Sequence, residues 1–202
     1  MQGTIIQFVD VTADIRVITI QMERGHPYAF HPGQYIEIKI GGHDPRFFSI
    51  ANAPRANNTI DVHVRNTGGE TSNALCSEIK QGQTICVSQA HGNLMYDAAH
   101  TPAVFIAGGT GITPFLSIID AYKGRPFHVY WGAKSDDEFY IRPQQNGLIM
   151  HYCIDEFPVD TYLRTPIDGA HIYLSGPPNM VHDSRVKLLA AGVEPDMIYS
   201  DA

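Results

Sequence analysis

The sequence predicts two modules in series: an antiparallel Greek-key β-barrel over residues 1–97, then an α/β domain built on a parallel sheet over residues 98–202. Three observations carry this. Short runs in which apolar and polar residues alternate, separated by turn-forming residues, fill the first half. Wholly apolar strand candidates alternating with helical runs fill the second. A polar stretch over residues 96–101 separates the two patterns and sets the boundary near Asp97.

In the first half, Ile18, Ile20 and Met22 form one alternating run beside Val17. Ile36, Ile38 and Ile40 alternate with Glu37 and Lys39, and Ile60, Val62 and Val64 with Asp61, His63 and Arg65, the period of two of a half-buried strand. Turn chemistry punctuates these runs at Gly25-His26-Pro27, His31-Pro32-Gly33, Gly41-Gly42-His43, Asn57-Asn58 and Gln81-Gly82-Gln83. Residues 71–79 (TSNALCSEI) are the one helical run. Several short strands with a single helix predict a small barrel. In the second half, strands are expected over 103–107, 127–131, 148–154, 171–174 and 197–200, and helices over 114–122 and 178–191.

Composition narrows the function. The 202 residues carry 14 Lys+Arg against 21 Asp+Glu, a net charge of −7, which opposes a phosphate-neutralising nucleic-acid groove. No apolar run reaches the ~20 residues of a membrane span. The best, over 103–119, is broken by Gly108, Gly109, Gly111 and Pro114. The amino terminus MQGTIIQFVD lacks the basic and apolar regions of a secretory signal, so a cytoplasmic address is expected. Cys76, Cys86 and Cys153 are too few and too scattered for a disulfide framework, a zinc site or a four-cysteine iron–sulfur cluster. The ten histidines are equally scattered; His63, His91 and His151 read as core or surface residues, and no metal is expected.

Two glycine turns follow apolar strands. GGTGITP, residues 108–114, lies between a strand and a helix, where free backbone N–H groups at a helix start favour an anion. Pro114 suits the first helical turn. It also occupies the third glycine position of the six-position dinucleotide fingerprint, so spacing alone allows a plain βα turn as well. SGPPNM, residues 175–180, ends another strand and opens the next helix. In a parallel sheet both turns fall at the carboxyl ends of their strands, the ligand-binding edge.

In the barrel half, Arg46-Phe47-Phe48-Ser49 places a cation, two aromatics and a hydroxyl in consecutive positions. This motif resembles the Arg-x-Tyr/Phe-Ser flavin motif of the ferredoxin–NADP reductase-like superfamily. Tyr28-Ala29-Phe30-His31-Pro32-Gly33-Gln34-Tyr35 resembles its Phe-x-Pro-Gly-Gln-Tyr turn. Val64-Arg65 with Gly68-Gly69-Glu70-Thr71-Ser72 resembles its flavin-contacting strand and pyrophosphate turn. Gly108 to Pro114, Tyr130-Trp131-Gly132-Ala133-Lys134, Tyr173 to Met180 and Tyr199-Ser200-Asp201-Ala202 follow in family order, so the resemblance covers nearly the whole chain. It is strongest to bacterial NAD(P)H:flavin reductases and to oxygenase reductase modules.

The resemblance implies roles. Arg46 pairs with a flavin phosphate, Phe48 lies against the isoalloxazine beside Phe47, and Ser49 hydrogen-bonds near flavin N5. Val64 and Arg65 contact the flavin. Gly68, Gly69, Thr71 and Ser72 hold a pyrophosphate, which favours FAD over FMN, with Glu70 opposing the anion by ~0.3–1 kcal/mol. Gly109, Thr110, Gly111, Ile112, Thr113 and Pro114 bind NADH or NADPH together with Ser175, Gly176, Pro177 and Met180. Ser49 and Ser175 are the expected catalytic residues. The implied activity is hydride transfer from NAD(P)H to FAD, with electrons passing on to a flavin, a small acceptor or a separate redox protein. Two alternatives remain: a reductase using diffusible FMN or riboflavin, and a non-catalytic nucleotide-binding regulatory module.

Departures from the family pattern are equally specific. Ser175 stands where the family often has Cys. The sequence ends at Ala202 without the flavin-shielding aromatic of many members. Gln89-Ala90-His91-Gly92 replaces a Gly-Pro-x-Gly turn. Residues 155–169 are short where the family usually has a further helix, so thin cover is expected over the sheet edge near Tyr162. Lys134 suits a 2′-phosphate, whereas Asp136 and Asp137 suit a ribose hydroxyl and repel that phosphate, a balance favouring NADH. The same segment also reads as a solvated loop.

Overall fold

The computed structural model describes residues 1–23, 25 and 27–201; His26 of the expected Gly25-His26-Pro27 turn and the terminal Ala202 lie outside them. The first half is a six-stranded antiparallel sheet: β1 (Gln2–Asp10), β2 (Ile15–Met22), β3 (Tyr35–Lys39), β4 (Arg46–Ser49), β5 (Thr59–Arg65) and β6 (Thr84–Val87). Its order is β4-β3-β6-β1-β2-β5, with β6 inserted between β3 and β1 as a Greek key requires. An Ile50–Val62 bridge joins the two edges and closes the barrel. The inward members of the alternating runs, among them Ile18, Ile36, Ile60 and Val62, are fully or almost fully buried in one core. Ala74 and Leu75 of α1 (Glu70–Ser77) pack into that core.

The second half is a five-stranded parallel sheet in the order β11-β10-β7-β8-β9. It comprises β7 (Ala103–Gly108), β8 (Phe127–Ala133), β9 (Leu148–Ile154), β10 (His171–Ser175) and β11 (Ile198–Tyr199). Every residue of the central β7 is buried, as a strand covered on both faces must be. Alternation splits it: Phe105 joins Phe115, Phe127 and Trp131 on the face covered by α2 (Thr113–Ala121), whereas Val104 and Ile106 join Tyr162 and Leu188 on the other. That second face is covered by α3 (Pro158–Arg164) and α4 (Pro178–Ala190).

The structure corrects one expectation outright. Residues 155–169 do carry a helix, α3, and Tyr162 on it is only 2% exposed, so the sheet edge there is covered. Two smaller differences concern ends. A 3₁₀ turn over Pro195–Met197 takes up the start of the last expected strand, leaving β11 two residues long. The glycine run after β7 is itself a 3₁₀ turn, Gly109–Ile112. No helix among the described residues is long and apolar enough to cross a membrane.

The two halves are fastened at the strand that matters for the site. Ser117 of α2, wholly buried, donates from Oγ to the Asn52 carbonyl at 2.7 Å, and the Ala53 N–H donates to the Asp120 carboxylate at 3.1 Å. At the far end, Asp201 accepts from the N–H groups of Asn93 and Leu94.

Candidate active site

Barrel and sheet face each other across a cleft of about 820 Å³ at the carboxyl ends of the parallel strands, with openings to solvent. On the barrel side the Ile50–Val62 bridge sets the register. Ser49 and His63 each lie one residue from that bridge, and Phe47 and Arg65 each three residues from it. All four line the cleft. Phe48, half-buried against the barrel core, presents a further aromatic edge to it.

On the sheet side the glycine turn and the Ser175–Pro177 segment form a second wall. Gly109 adopts φ +54°, a conformation L side chains rarely take, as the chain swings from β7 toward α2. The turn is held by Trp131, whose Nε1 donates to the Gly109 carbonyl at 2.8 Å, and by Thr113, whose Oγ1 donates to the Thr110 carbonyl at 2.6 Å. Gly111 has no room for a side chain: a Cβ there would lie 2.4 Å from the Ser175 carbonyl oxygen and 2.5 Å from Gly176 Cα. The two glycine turns, 64 residues apart in sequence (175 − 111), therefore meet backbone to backbone.

The expected site residues thus fall into two groups. The cleft gathers Phe47, Phe48, Ser49, Arg65, Gly109, Thr110, Gly111, Thr113, Ser175, Gly176, Pro177 and Met180. It does not gather Arg46, Val64, Gly68, Gly69, Thr71, Ser72, Ile112 or Pro114. Val64 and Ile112 are wholly buried, and Pro114 sits buried in the first turn of α2, so these support the walls from behind. Arg46 is exposed outside the cleft lining. Gly69 is the N-cap of α1, but the Thr71 and Ser72 hydroxyls are already committed to the Asp44 and Gly69 carbonyls. Only backbone N–H groups in that turn remain for an anion. The Glu70 carboxylate points to solvent near His43, 3.4 Å away.

Sequence reasoning did not assign roles to His63, Thr67, Glu138 and Tyr140. The signal for His63 was present: it occupies the same alternation as Arg65, two residues away on the same strand face. Its Nδ1 lies 2.9 Å from the Tyr140 hydroxyl. Burial pushes the His63 imidazole down to about 4 and raises the Tyr140 hydroxyl. Both are neutral around pH 7. Arg65 reaches Asp14 at 3.2 Å and Glu138 at 3.3 Å, yet its buried Nε has no partner among the described residues. Beyond the glycine turn, Lys134, Asp155 and Glu156 also line the cleft. Asp136 is held by Arg142 at 2.7 Å, and Asp137 is exposed. Among the described residues no three His, Cys, Asp or Glu side chains are grouped as a metal would require.

These features fit a flavin and a nicotinamide nucleotide. The aromatic edge of Phe48 suits a flat heterocycle and the Ser49 hydroxyl a ring nitrogen. Gly111 brings bare backbone to the surface where a dinucleotide would run. An antiparallel barrel set against a parallel sheet, with such a cleft between them, defines a two-module nucleotide-binding oxidoreductase architecture.

Family models agree: residues 2–96 match the oxidoreductase FAD-binding domain and residues 105–152 the oxidoreductase NAD-binding domain. The two models, in this order along one chain, support a ferredoxin–NADP reductase-like oxidoreductase. A similar curated protein is the CDP-6-deoxy-L-threo-D-glycero-4-hexulose-3-dehydrase reductase of Yersinia pseudotuberculosis serotype I (strain IP32953), 29% identical over 95% of this chain and 65% of that protein. Another is the ferredoxin–NAD(P)(+) reductase component of the naphthalene 1,2-dioxygenase system of Pseudomonas putida, 26% identical over 100% of this chain and 68% of that one. The chain spans about two thirds of the length of such relatives. In fold it resembles the ferredoxin reductase of carbazole 1,9a-dioxygenase, with a TM-score of 0.89 at 20% identity, covering 100% of this chain and 68% of that one. It also resembles phthalate dioxygenase reductase, with a TM-score of 0.81 at 18% identity, covering 99% and 67%.

Proposed function

We propose that this chain is an NAD(P)H-dependent flavoprotein oxidoreductase that holds FAD, receives a hydride from NADH or NADPH and passes electrons to a separate acceptor. The observation that carries this is the opposition, across one cleft, of the Phe48–Ser49 edge of the barrel and the paired glycine turns of the sheet. When bound, the two cofactors would supply the redox chemistry, NAD(P)H as hydride donor and the flavin as its acceptor. The chain supplies placement and a water-poor contact.

In this reading residues 1–97 hold the flavin and residues 98–202 the nicotinamide nucleotide. Phe48 would lie against the flavin ring and the Ser49 hydroxyl would hydrogen-bond near its N5. Arg46, exposed and with no ion pair among the described residues, meets a flavin phosphate. Backbone N–H groups of residues 69–72 receive the pyrophosphate at the start of α1. The 109–114 turn with Ser175, Gly176, Pro177 and Met180 receives the nicotinamide nucleotide, Ser175 beside the nicotinamide. Relatives named as ferredoxin reductase components supply the precedent for a separate redox protein as acceptor. The proposed address is the cytoplasm.

The test is anaerobic mixing of the purified protein with NADH or NADPH. Colour retained through gel filtration and bleached by either nucleotide supports the proposal. Colour lost on the column, with NADH oxidation restored by riboflavin, would instead make the flavin a diffusible substrate. Bound flavin that neither nucleotide bleaches would reduce the protein to a binding module.

A further inference from the structure

The two cofactor platforms are joined by a continuous line of side chains. On β5, His63 and Arg65 both reach to one segment of the other module, His63 to Tyr140 at 2.9 Å and Arg65 to Glu138 at 3.3 Å. Both pairs of positions are two residues apart, so the contacts form two rungs of a ladder across the floor of the cleft. The Tyr140 rung continues into the glycine turn. Tyr140 packs edge-on to the Trp131 ring with centroids 5.5 Å apart, and Trp131 Nε1 donates to the Gly109 carbonyl at 2.8 Å.

The hydrogen bond between His63 Nδ1 and the Tyr140 hydroxyl is the barrel's link to this line. Burial of His63 keeps the ring neutral above about pH 4, so the bond is a neutral one over the working range. At the barrel end, His63 lines the cleft with Ser49, each one residue from the Ile50–Val62 bridge. At the sheet end, the turn that Trp131 holds is braced again by Thr113, whose Oγ1 donates to the Thr110 carbonyl at 2.6 Å.

We infer that Tyr140 and His63 are positioning residues for hydride transfer: the His63–Tyr140 hydrogen bond and the packing of Tyr140 on Trp131, which holds Gly109, fix the separation between the Ser49 strand and the 109–113 turn. This rests on the oxidoreductase proposal above. Neither residue reacts. They hold the flavin platform and the nicotinamide platform at one distance, and a displacement of about 1 Å at such a contact costs on the order of 10²-fold in rate. The ring of Tyr140 is wedged between His63 and Trp131, so Tyr140→Phe removes the hydroxyl and leaves the packing.

The test compares FAD-loaded wild type, Tyr140→Phe, His63→Gln and His63→Leu by anaerobic stopped-flow with NADH and with NADH deuterated at the transferred position. In Tyr140→Phe, the expected limiting rate of flavin bleaching falls about tenfold or more. Flavin content, melting temperature and the NADH concentration for half-maximal rate stay near wild type, and the isotope effect grows. His63→Gln, which keeps a donor, recovers much of the rate that His63→Leu loses. A wild-type limiting rate in Tyr140→Phe would overturn the inference. So would a rate loss that merely tracks lost flavin or lost stability across the variants. If neither NADH nor NADPH bleaches the wild type, the oxidoreductase proposal itself falls, and this inference with it.

Discussion

The contact between the two glycine turns gives the sharpest prediction. In Gly111→Ala the new Cβ would lie 2.4 Å from the Ser175 carbonyl oxygen, 2.5 Å from Gly176 Cα and 2.6 Å from Gly176 N. All three are backbone atoms, so no rotamer change relieves the overlap. Ordinary van der Waals separation begins near 3.4 Å, which requires the 175–176 turn to retreat by about 1 Å. Overpacking of this kind costs ~1–3 kcal/mol. At ~2–4 °C per kcal/mol for a chain of this size, the melting temperature should fall by several degrees. Ser175 would stand beside the nicotinamide, so the same displacement should lower the limiting rate of flavin bleaching by NADH about 10²-fold. The barrel is untouched and flavin content should not change. The assay is anaerobic stopped-flow beside thermal melting and flavin quantitation. A Gly111→Ala protein with wild-type rate and stability would refute the backbone contact between the turns.

Three further outcomes are expected. Ser49→Ala should slow hydride transfer by roughly 10²-fold while leaving flavin affinity nearly unchanged, because a donor aimed at developing charge acts mainly in the transition state; single-turnover reduction and flavin titration separate the two. Arg46→Ala should weaken flavin binding by roughly tenfold or more through loss of a charge-assisted contact, with little change in melting temperature because Arg46 is exposed; unchanged retention on gel filtration would contradict this. His63 falls from the usual 6.5 to about 4 through burial, so below pH 6.5 the unfolded chain takes up a proton that the folded chain refuses. Stability contributed by neutral His63 is complete above pH 6.5 and is lost as pH falls toward 4, a swing on the order of 3 kcal/mol. His128, His151 and His171 are lowered in the same direction. Urea midpoints measured from pH 7 to pH 4 should fall less steeply in His63→Gln than in wild type; equal slopes would show that His63 is not the group responsible.

What could be read from the chain, and what could not, follows from the range of each interaction. Ile36, Ile38 and Ile40, or the apolar run of β7, declare their elements because burial repeats at the period of a strand. β1 hides because a register shift between Ile5 and Gln7 breaks its alternation, and the four-residue β6 is too short to show one. α3 is seven residues beginning at Pro158, with Val159 and Tyr162 buried one turn apart, too little for helical periodicity to stand out. At the site, Ser49 and the glycine turns were legible because each lies in a local motif. The pairing of His63 with Tyr140 spans 77 residues, and the meeting of Gly111 with Gly176 depends on strand order, so neither leaves a local trace. Thr71 and Ser72 show the converse: their hydroxyls suit an anion by type, but the fold has turned them onto Asp44 and Gly69.

A crystal structure of the protein soaked with FAD and a nicotinamide dinucleotide measures the central claim directly. The account predicts the isoalloxazine against Phe48 with N5 at the Ser49 hydroxyl, and the nicotinamide lying parallel to it between the 109–113 turn and Ser175. Both nucleotides bound elsewhere, or the cleft filled by side chains in their presence, would contradict it.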